Sequence, residues 1–291
     1  MPELPEVEAL RRSLVDRLLG RTVTAVHVAR RDVIAGPSDD SALLVGRPIA
    51  ELRRHGKQLA LIGQPHRSPY GPAVCIHLGM SGSVTHTTAP TRPPRPHTHV
   101  TWTLDDGSQL RFADARRFGG LWTFPDRPTL ERDRWARLGP DALRITPRKL
   151  ARGLSGTSRA LKAALLDQTL LAGLGNIYVD ELLFRQRLHP LTPAPVVGGD
   201  PARVRRLVHT MRRLLRTAAD RGGSSLRDYI NGQGLAGQYQ RAHRVYGRAG
   251  LPCTRCRAPL AADLVAGRTT VWCPSCQLLA GRRSVRIEID Q

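Results

Sequence analysis

Aromatic residues are scarce in this chain, 4% of 291 residues, which argues against recognition through long stacking surfaces. No apolar run approaches the 18 or so residues that span a bilayer. The N-terminus opens on acidic residues instead of a basic and then apolar stretch, so no secretory leader is expected and the cytoplasm is the expected compartment. Lysine is nearly missing. Lys57, Lys149 and Lys162 are the only three, and arginine supplies the other 42 of the 45 bases. That bias suits guanidinium recognition of phosphate but equally fits GC-rich coding, so it decides nothing alone. Internal repeats are absent.

What is present is positive charge. Forty-five bases against 24 acids leave a formal +21. Residues 1–130 hold 17 bases and 12 acids, whereas residues 131–291 hold 28 and 12. A field of that size favours a polyanion, and a nucleic-acid backbone is the first candidate, beside the plainer reading of a solvated basic surface. With 41% apolar residues the chain can bury one large core or two ordinary ones.

Apolar side chains recur at Leu4, Val7, Leu10, Leu14 and Leu18, intervals of three and four that mark one helical face, with Pro5 in the first turn. After Gly20 the period changes. Short β-rich segments at 21–29, 58–63, 73–79, 99–106, 108–114 and 119–124 alternate with Gly, Pro and Asp turns, predicting an antiparallel β-sandwich that ends near residue 130. Residues 86–97 carry four prolines and read as an exposed loop, and 131–147 as a linker. Helical patterns follow at 159–167, 177–187, 202–220 and, briefly, near 225–230, and the Gly- and Gln-rich stretch 231–244 reads as a mobile loop.

Four of the five cysteines read Cys253-x2-Cys256, sixteen residues, Cys273-x2-Cys276. Two such knuckles suit one structural zinc with no open coordination position; paired disulfides are the alternative, disfavoured in a reducing compartment. Cys75, in an apolar strand pattern, reads as a core thiol. In the segment 165–184 a glycine-punctuated turn leads to Asn176 at a helix start, which admits both a phosphate site and a simple N-cap. The extreme N-terminus, Met1-Pro2-Glu3-Leu4-Pro5-Glu6, also admits two readings. Loss of Met1 exposes a secondary α-amine, with a reference pKa of about 8 against about 10.4 for lysine, beside two carboxylates. A helix start with proline and acids at the positive end of its dipole accounts for the same residues.

MPELPEVE at 1–8, HLGMSG at 77–82, DARRFGG at 114–120, GLGNIYVDE at 173–181, VYGRAG at 245–250 and the C-x2-C-x16-C-x2-C finger occur in one order. As an ordered set covering essentially the whole chain, they resemble the bacterial formamidopyrimidine-DNA glycosylases of base-excision repair. The resemblance implies an α+β fold. An N-terminal helix and β-sandwich (1–130) and a linker (131–147) precede a helix–two-turn–helix domain (148–245) and a β-hairpin zinc finger with its tail (246–291). DNA is expected in a basic cleft between the two main parts, and the protein as a monomer.

Site residues follow from the same resemblance. Pro2 matches the nucleophile, Glu3 the residue doing acid–base work on sugar and base, and Glu6 the acid that supports them. Lys57 in RRHGKQL matches a catalytic-site lysine contacting phosphate beside the lesion. Asn176, and Arg268 in AGRTTVWC, match residues gripping the backbone around the flipped nucleotide, Arg268 being counted with the catalytic set. Met80, Arg116 and Phe118 match the triad filling the gap left by an extruded base, for which an apolar wedge plus arginine is suited. His99 and Lys162 are implied as further DNA contacts, and Cys253, Cys256, Cys273 and Cys276 as the zinc ligands. The loop 231–243, which in the family caps the lesion, departs from the wording usual in 8-oxoguanine enzymes.

The activity implied is removal of oxidised purines (8-oxoguanine, formamidopyrimidines), then β,δ-elimination at the abasic site through a proline Schiff base. Two rivals are an endonuclease VIII-like glycosylase for oxidised pyrimidines and a non-catalytic lesion or nick binder. LPEVE and the Met80, Arg116, Phe118 set argue against the first, and the intact mass of the purified protein discriminates the second, since a retained Met1 would block the nucleophile and favour the binder.

Overall fold

The computed structural model describes residues 2–66, 69–88, 93–225 and 229–279. The chain divides into two compact units, Met1–Asp141 with Leu215–Arg241, and Ala142–Leu214 with Ala242–Gln291. Among the described residues no helix is long and apolar enough to cross a membrane.

The first unit begins with α1 (Leu4–Leu18), whose predicted face of Leu4, Val7, Leu10, Leu14 and Leu18 is fully buried. Each such leucine contributes roughly 1.5–3 kcal/mol by leaving water. Among the described residues nine strands follow: β1 (Val23–Val28), β2 (Ile34–Ala35), β3 (Ile49–His55), β4 (Gln58–Gly63), β5 (Ala73–His77), β6 (Gly82–Thr87), β7 (Thr98–Leu104), β8 (Gln109–Asp114) and β9 (Gly120–Phe124). They form one sheet of order β1-β7-β8-β6 and another of order β2-β9-β5-β4-β3. Every pairing is antiparallel except the two-residue β2–β9 pair. Leu59, Leu61, Val74 and Ile76 from the second sheet meet Val84, Val100, Trp102, Leu110 and Phe112 from the first, with the α1 face in the same core. Strands β3 and β6 escape the sequence pattern because charged, imidazole or hydroxyl residues fill their half-buried positions.

The stretch read as a linker is partly structure. Helix α2 (Arg127–Asp133) and a 3-10 turn at Trp135–Arg137 follow β9 directly. Leu130 and Trp135 cover the outer face of β4 and β5, against Ala60, Ile62, Ala73 and Cys75. Burial on both faces is why these strands read as apolar runs without alternation. Cys75 is a core thiol, and burial pushes its pKa up to about 11.

The second unit contains α3 (Pro147–Ser155), α4 (Leu161–Leu166), α5 (Asn176–Gln186), α6 (Ala194–Gly198), the first part of α7 (Pro201–Asp220), and the hairpin β10 (Ala261–Val265) and β11 (Arg268–Trp272). Helix α3, absent from the sequence reading, has an ordinary start signal. Thr146 accepts from Lys149 N at 3.3 Å, Pro147 occupies the first turn, and Leu150 and Leu154 point inward.

Segment 231–244 also departs from expectation. Gly232, Gly237 and Tyr239 are buried, and the backbone is tied back by Gln238 N to Arg221 O (3.0 Å) and Tyr239 N to Gly223 O (2.9 Å). Residues 231–241 therefore belong with the first unit, and 242–244 with the second. The helix expected near 225–230 and the tail beyond Leu279 fall largely outside the described residues.

Candidate active site and nucleic-acid interface

Pro2 is buried at the head of α1, immediately before Glu3, the residue that caps the helix. Glu6 reaches back one turn to accept from Glu3 N at 2.8 Å through Oε2, while its Oε1 accepts from Ser224 N at 2.7 Å. Tyr229 Oη donates to Glu6 O at 2.7 Å. The Gly222–Gly223 turn makes that approach possible. Gly223 has φ +79°, and a Cβ there would lie 2.7 Å from Glu6 Oε1. Glu3 and Glu6 are 2% and 1% exposed, so two carboxylates shielded from bulk water follow Pro2 within the first turn of α1.

Lys57 sits in the two-residue turn between β3 and β4, beside Gly56 at φ +56°. Behind the turn, Arg54 donates to Asp141 at 2.5 and 3.2 Å, to Glu8 at 3.1 Å and to Gly56 O at 2.9 Å, and Gly56 N donates to Asp141 at 2.9 Å. A single buried guanidinium thus ties α1, through Glu8, to the turn that carries Lys57. Burial works to raise the Glu8 pKa, but Arg11, Arg54 and Arg12 outweigh it and bring it to about 2. His77 moves the other way. Burial first, then Arg134 and Lys57, push it down to about 4, so its imidazole is neutral at physiological pH.

Met80 and Phe118 are 42% and 56% exposed, which excludes core packing. The Arg116 guanidinium lies 4.7 Å from the centroid of the Phe118 ring, in cation–π range. Their two loops touch through glycines. A Cβ on Gly79 would collide with Gly119 N, and one on Gly119 would collide with His77 O. Asp114 locks the pair by accepting from Ser81 Oγ (2.5 Å), Arg116 N (3.3 Å) and Gly119 N (2.7 Å). An exposed apolar wedge on a rigid mount is the result. His99, expected at the nucleic acid, is 4% exposed, and its Nε2 is bonded to Asp114 O at 2.8 Å. It backs the wedge mount from within.

In the second unit the residue capping α5 is Gly175, not Asn176. Asn176 is the first helical residue, with its Nδ2 donating to Thr269 O at 2.8 Å and its buried Oδ1 lacking a partner. Arg268, one residue away on β11, is exposed. Lys162 is placed differently from the expected DNA contact, because its side chain is 0% exposed. Its Nζ donates to Asp180 at 2.6 Å and to Thr270 Oγ1 at 2.7 Å, and Asp180 also accepts from Val271 N at 3.1 Å. Lys162 therefore braces β11, and with it Arg268, from the inside. Burial pushes Asp180 up to about 6 against the pull of Lys162, so near neutrality it is a buried carboxylate that depends on that lysine. Lys162→Met should accordingly cost about 3–5 kcal/mol of stability. The double change Lys162→Met with Asp180→Asn removes both charges while keeping an acceptor for Val271 N, and should recover most of it. Thermal melting of the two variants checks this; a double variant no better than the single one contradicts the brace.

Sequence reasoning missed Glu181. Fully buried on α5, its Oε1 accepts from Arg244, Val245 and Tyr246 N at 2.7, 2.9 and 3.1 Å, and so holds the VYG turn. Its only signal was a second acid beside Asp180 in the apolar middle of α5.

The sulfurs of Cys253, Cys256, Cys273 and Cys276 lie within 4.8 Å of one another. Tetrahedral zinc–thiolate geometry needs sulfurs about 3.8 Å apart, so side-chain shifts on the order of 1 Å or less bring the set onto one zinc ion. Arg255 N and Cys276 N point at Cys253 and Cys273 Sγ at 3.4 Å each. Burial raises the Cys253 pKa, but the amides of Cys256 and Arg255 and the neighbouring sulfurs outweigh it and bring it to about 7. The four cysteines hold one structural zinc. The finger core packs on Phe184 of α5, whose carbonyl accepts from Arg255 at 2.7 Å.

Three family descriptions match the chain in order. They are the formamidopyrimidine-DNA glycosylase N-terminal domain (residues 1–121), the formamidopyrimidine-DNA glycosylase H2TH domain (138–229) and the zinc finger found in FPG and IleRS (250–278). The formamidopyrimidine-DNA glycosylase of Geobacillus kaustophilus is 40% identical over 95% of this chain and 100% of its own. The crystal structure of the MutM (Fpg) protein from Thermus thermophilus is similar with a TM-score of 0.81, 40% identity, and 95% and 98% of the two chains covered. The Lactococcus lactis Fpg in complex with abasic-site DNA is similar with a TM-score of 0.84 and 31% identity, covering 95% and 100%. The same Lactococcus protein is known bound to a benzylated Fapy-dG duplex and to an oxidised-pyrimidine duplex. With family motifs, domains in order and relatives matched end to end, the chain belongs to the formamidopyrimidine-DNA glycosylase family.

Proposed function

We infer that this protein is a bifunctional DNA glycosylase and AP lyase of base-excision repair, acting in the cytoplasm on duplexes that carry oxidised purines. The observation that carries the reading is the Glu6 carboxylate, which fixes Glu3 N and Ser224 N next to the residue that becomes the N-terminus. Once Met1 is removed, the Pro2 nitrogen attacks C1′ of the damaged nucleotide. The base leaves with the bonding electron pair and takes up a proton, with Glu3 as the acid–base group. The attached amine gives up its proton, the C1′–O4′ bond opens with O4′ taking up a proton, and the secondary amine is left as an iminium cation, which acidifies the C2′ proton. Loss of that proton expels the 3′ phosphate, and a second elimination expels the 5′ phosphate. The zinc stays outside these steps and supplies the fold of the finger.

A base in the duplex has to be extruded first, at a cost of a few kcal/mol. The exposed Met80 and Phe118 side chains suit the vacated stack, and Arg116 suits the orphaned partner base. Asn176 and the exposed Arg268 suit the phosphates, as does Lys57 in its turn although it is 8% exposed, whereas His99 and Lys162 are bonded to Asp114 O and to Asp180 and Thr270 and support those neighbours instead.

Oxidised pyrimidines remain a second substrate class, favoured by the oxidised-pyrimidine duplex seen with the Lactococcus relative. Borohydride trapping on duplexes bearing 8-oxoguanine, an oxidised pyrimidine or an abasic site tests the whole reading. The expected result is a covalent adduct on all that are cleaved, with the purine lesion processed faster than the pyrimidine. No adduct on any of the three would leave a lesion-binding protein.

A further inference from the structure

Helix α7 carries charge of one sign along its outer face. Val204, Leu207, Val208, Met211 and Leu214 turn inward, while Arg205, Arg206, His209 and Arg213 are exposed and Arg203 is half-buried. Arg203, Arg206, His209 and Arg213 follow one another at intervals of three, three and four, so they line one ridge about 15 Å long at 1.5 Å per residue. No acid occurs between Pro201 and Ala219. The ridge begins at a cavity of about 300 Å³, whose walls include Arg203, Arg206, Thr192 and, from the end of α5, Gln186 and Arg187. Three guanidinium groups therefore border one concave space, and no Phe, Tyr or Trp lines it. Among the described residues, only Arg203 of these three meets a carboxylate, that of Asp200 at 3.5 Å. Arg187 stands there against a backbone preference. It ends α5 with φ +55°, the left-handed conformation for which glycine is the unstrained choice.

Guanidinium forks match phosphate oxygens, and a row of them without aromatic rings suits a nucleic-acid backbone and not its bases. A free phosphate would use the cavity and leave the ridge idle. Arg187 and Asn176 stand at opposite ends of α5, 11 residues or about 16 Å apart along the axis. The length of the helix separates this set from the phosphate grip of Asn176 and Arg268. We propose that the cavity of Arg187, Arg203 and Arg206, continued by the ridge of α7, is a second nucleic-acid site. It takes the backbone of another duplex while the first is still held, so that the protein passes from one duplex to the next without becoming free. The proposal rests on the duplex binding in the reading above, not on the excision chemistry.

The test follows release of a labelled duplex from the zinc-loaded protein at constant ionic strength, while unlabelled undamaged duplex is raised. The labelled duplex carries a reduced abasic site, which cannot be cleaved. Release from the unaltered protein should quicken about fivefold or more across the range, as transfer through a doubly bound state requires. The triple variant Arg187→Gln, Arg203→Gln, Arg206→Gln should show almost no dependence on competitor. Arg206→Gln alone, which breaks no ion pair, should lose part of it. Affinity for the labelled duplex and single-turnover excision of 8-oxoguanine should stay within about twofold in both variants. A flat response in the unaltered protein, or an equal slope in the triple variant, would overturn the proposal. So would a loss of affinity for the labelled duplex, which would merge these arginines with the main interface. Inorganic phosphate or polyglutamate as effective as duplex at equal charge would also overturn it, leaving a small-anion site or a surface for acidic proteins. Failure of the excision reading shows separately, as an unaltered protein that cleaves no lesion while the transfer slope still decides this site.

Discussion

Pro2→Gly is expected to lower base excision by about 100-fold or more, the scale on which a positioned catalytic group acts, while duplex affinity stays within about twofold. The substitution keeps an α-amine and changes its kind. A secondary amine forms an iminium with no N–H to lose, so the positive charge that acidifies C2′ is permanent; a primary amine forms an imine that must be protonated. Glycine also frees the backbone that proline holds at φ near about −65°, loosening the amine against Glu3 and Glu6. The trapped adduct of the unaltered protein should map to a terminal peptide beginning at Pro2. Mapping to Lys57 would displace the assignment, and so would full activity in Pro2→Gly. Lys162 is a poor competitor, because its Nζ is fully buried and committed to Asp180 and Thr270.

The other large effect concerns the zinc. Removing it by chelation, or by Cys273→Ala, should unfold the finger, since apparent zinc-binding energies of about 10–16 kcal/mol are the folding energy of such modules. The damage should spread to groups that touch no metal. Arg268 stands on β11, Asn176 is held by Thr269 O, and Asp180 is bonded to Val271 N. Losing the hairpin removes all three supports, so affinity for damaged and undamaged duplex should fall together. The salt slope should drop by about one unit for each phosphate no longer held. Duplex titrations at several salt concentrations, before chelation, after it and after zinc is restored, measure this. Normal affinity in the metal-free protein would sever the link between finger and grip.

Much of this was legible in the residues. The register of α1 could be read from five leucines and valines, because a helix with one buried face must repeat apolar side chains every three or four positions. The central strands were visible for a similar reason, and so was the metal site, since two Cys-x2-Cys knuckles are local in sequence. The α2 turn over β4 and β5 was not legible. Nothing in Leu130 or Trp135 alone says that the second face of a sheet is open to be covered.

The sequence by itself determined the secondary-structure periods, the family and the four metal ligands. Each of these depends on residues close together in the chain or on motifs kept in order. Beyond the faces that a regular period marks, only the tertiary structure decided which charged and apolar side chains are buried. Met80 and Phe118 look like core residues and project from their loops, while Lys162 looks like a surface cation and is sealed in. The partners that seal it lie 18 and 108 residues away, at Asp180 and Thr270. A side chain's burial depends on what packs over it from distant parts of the chain, and no local pattern of residues carries that information.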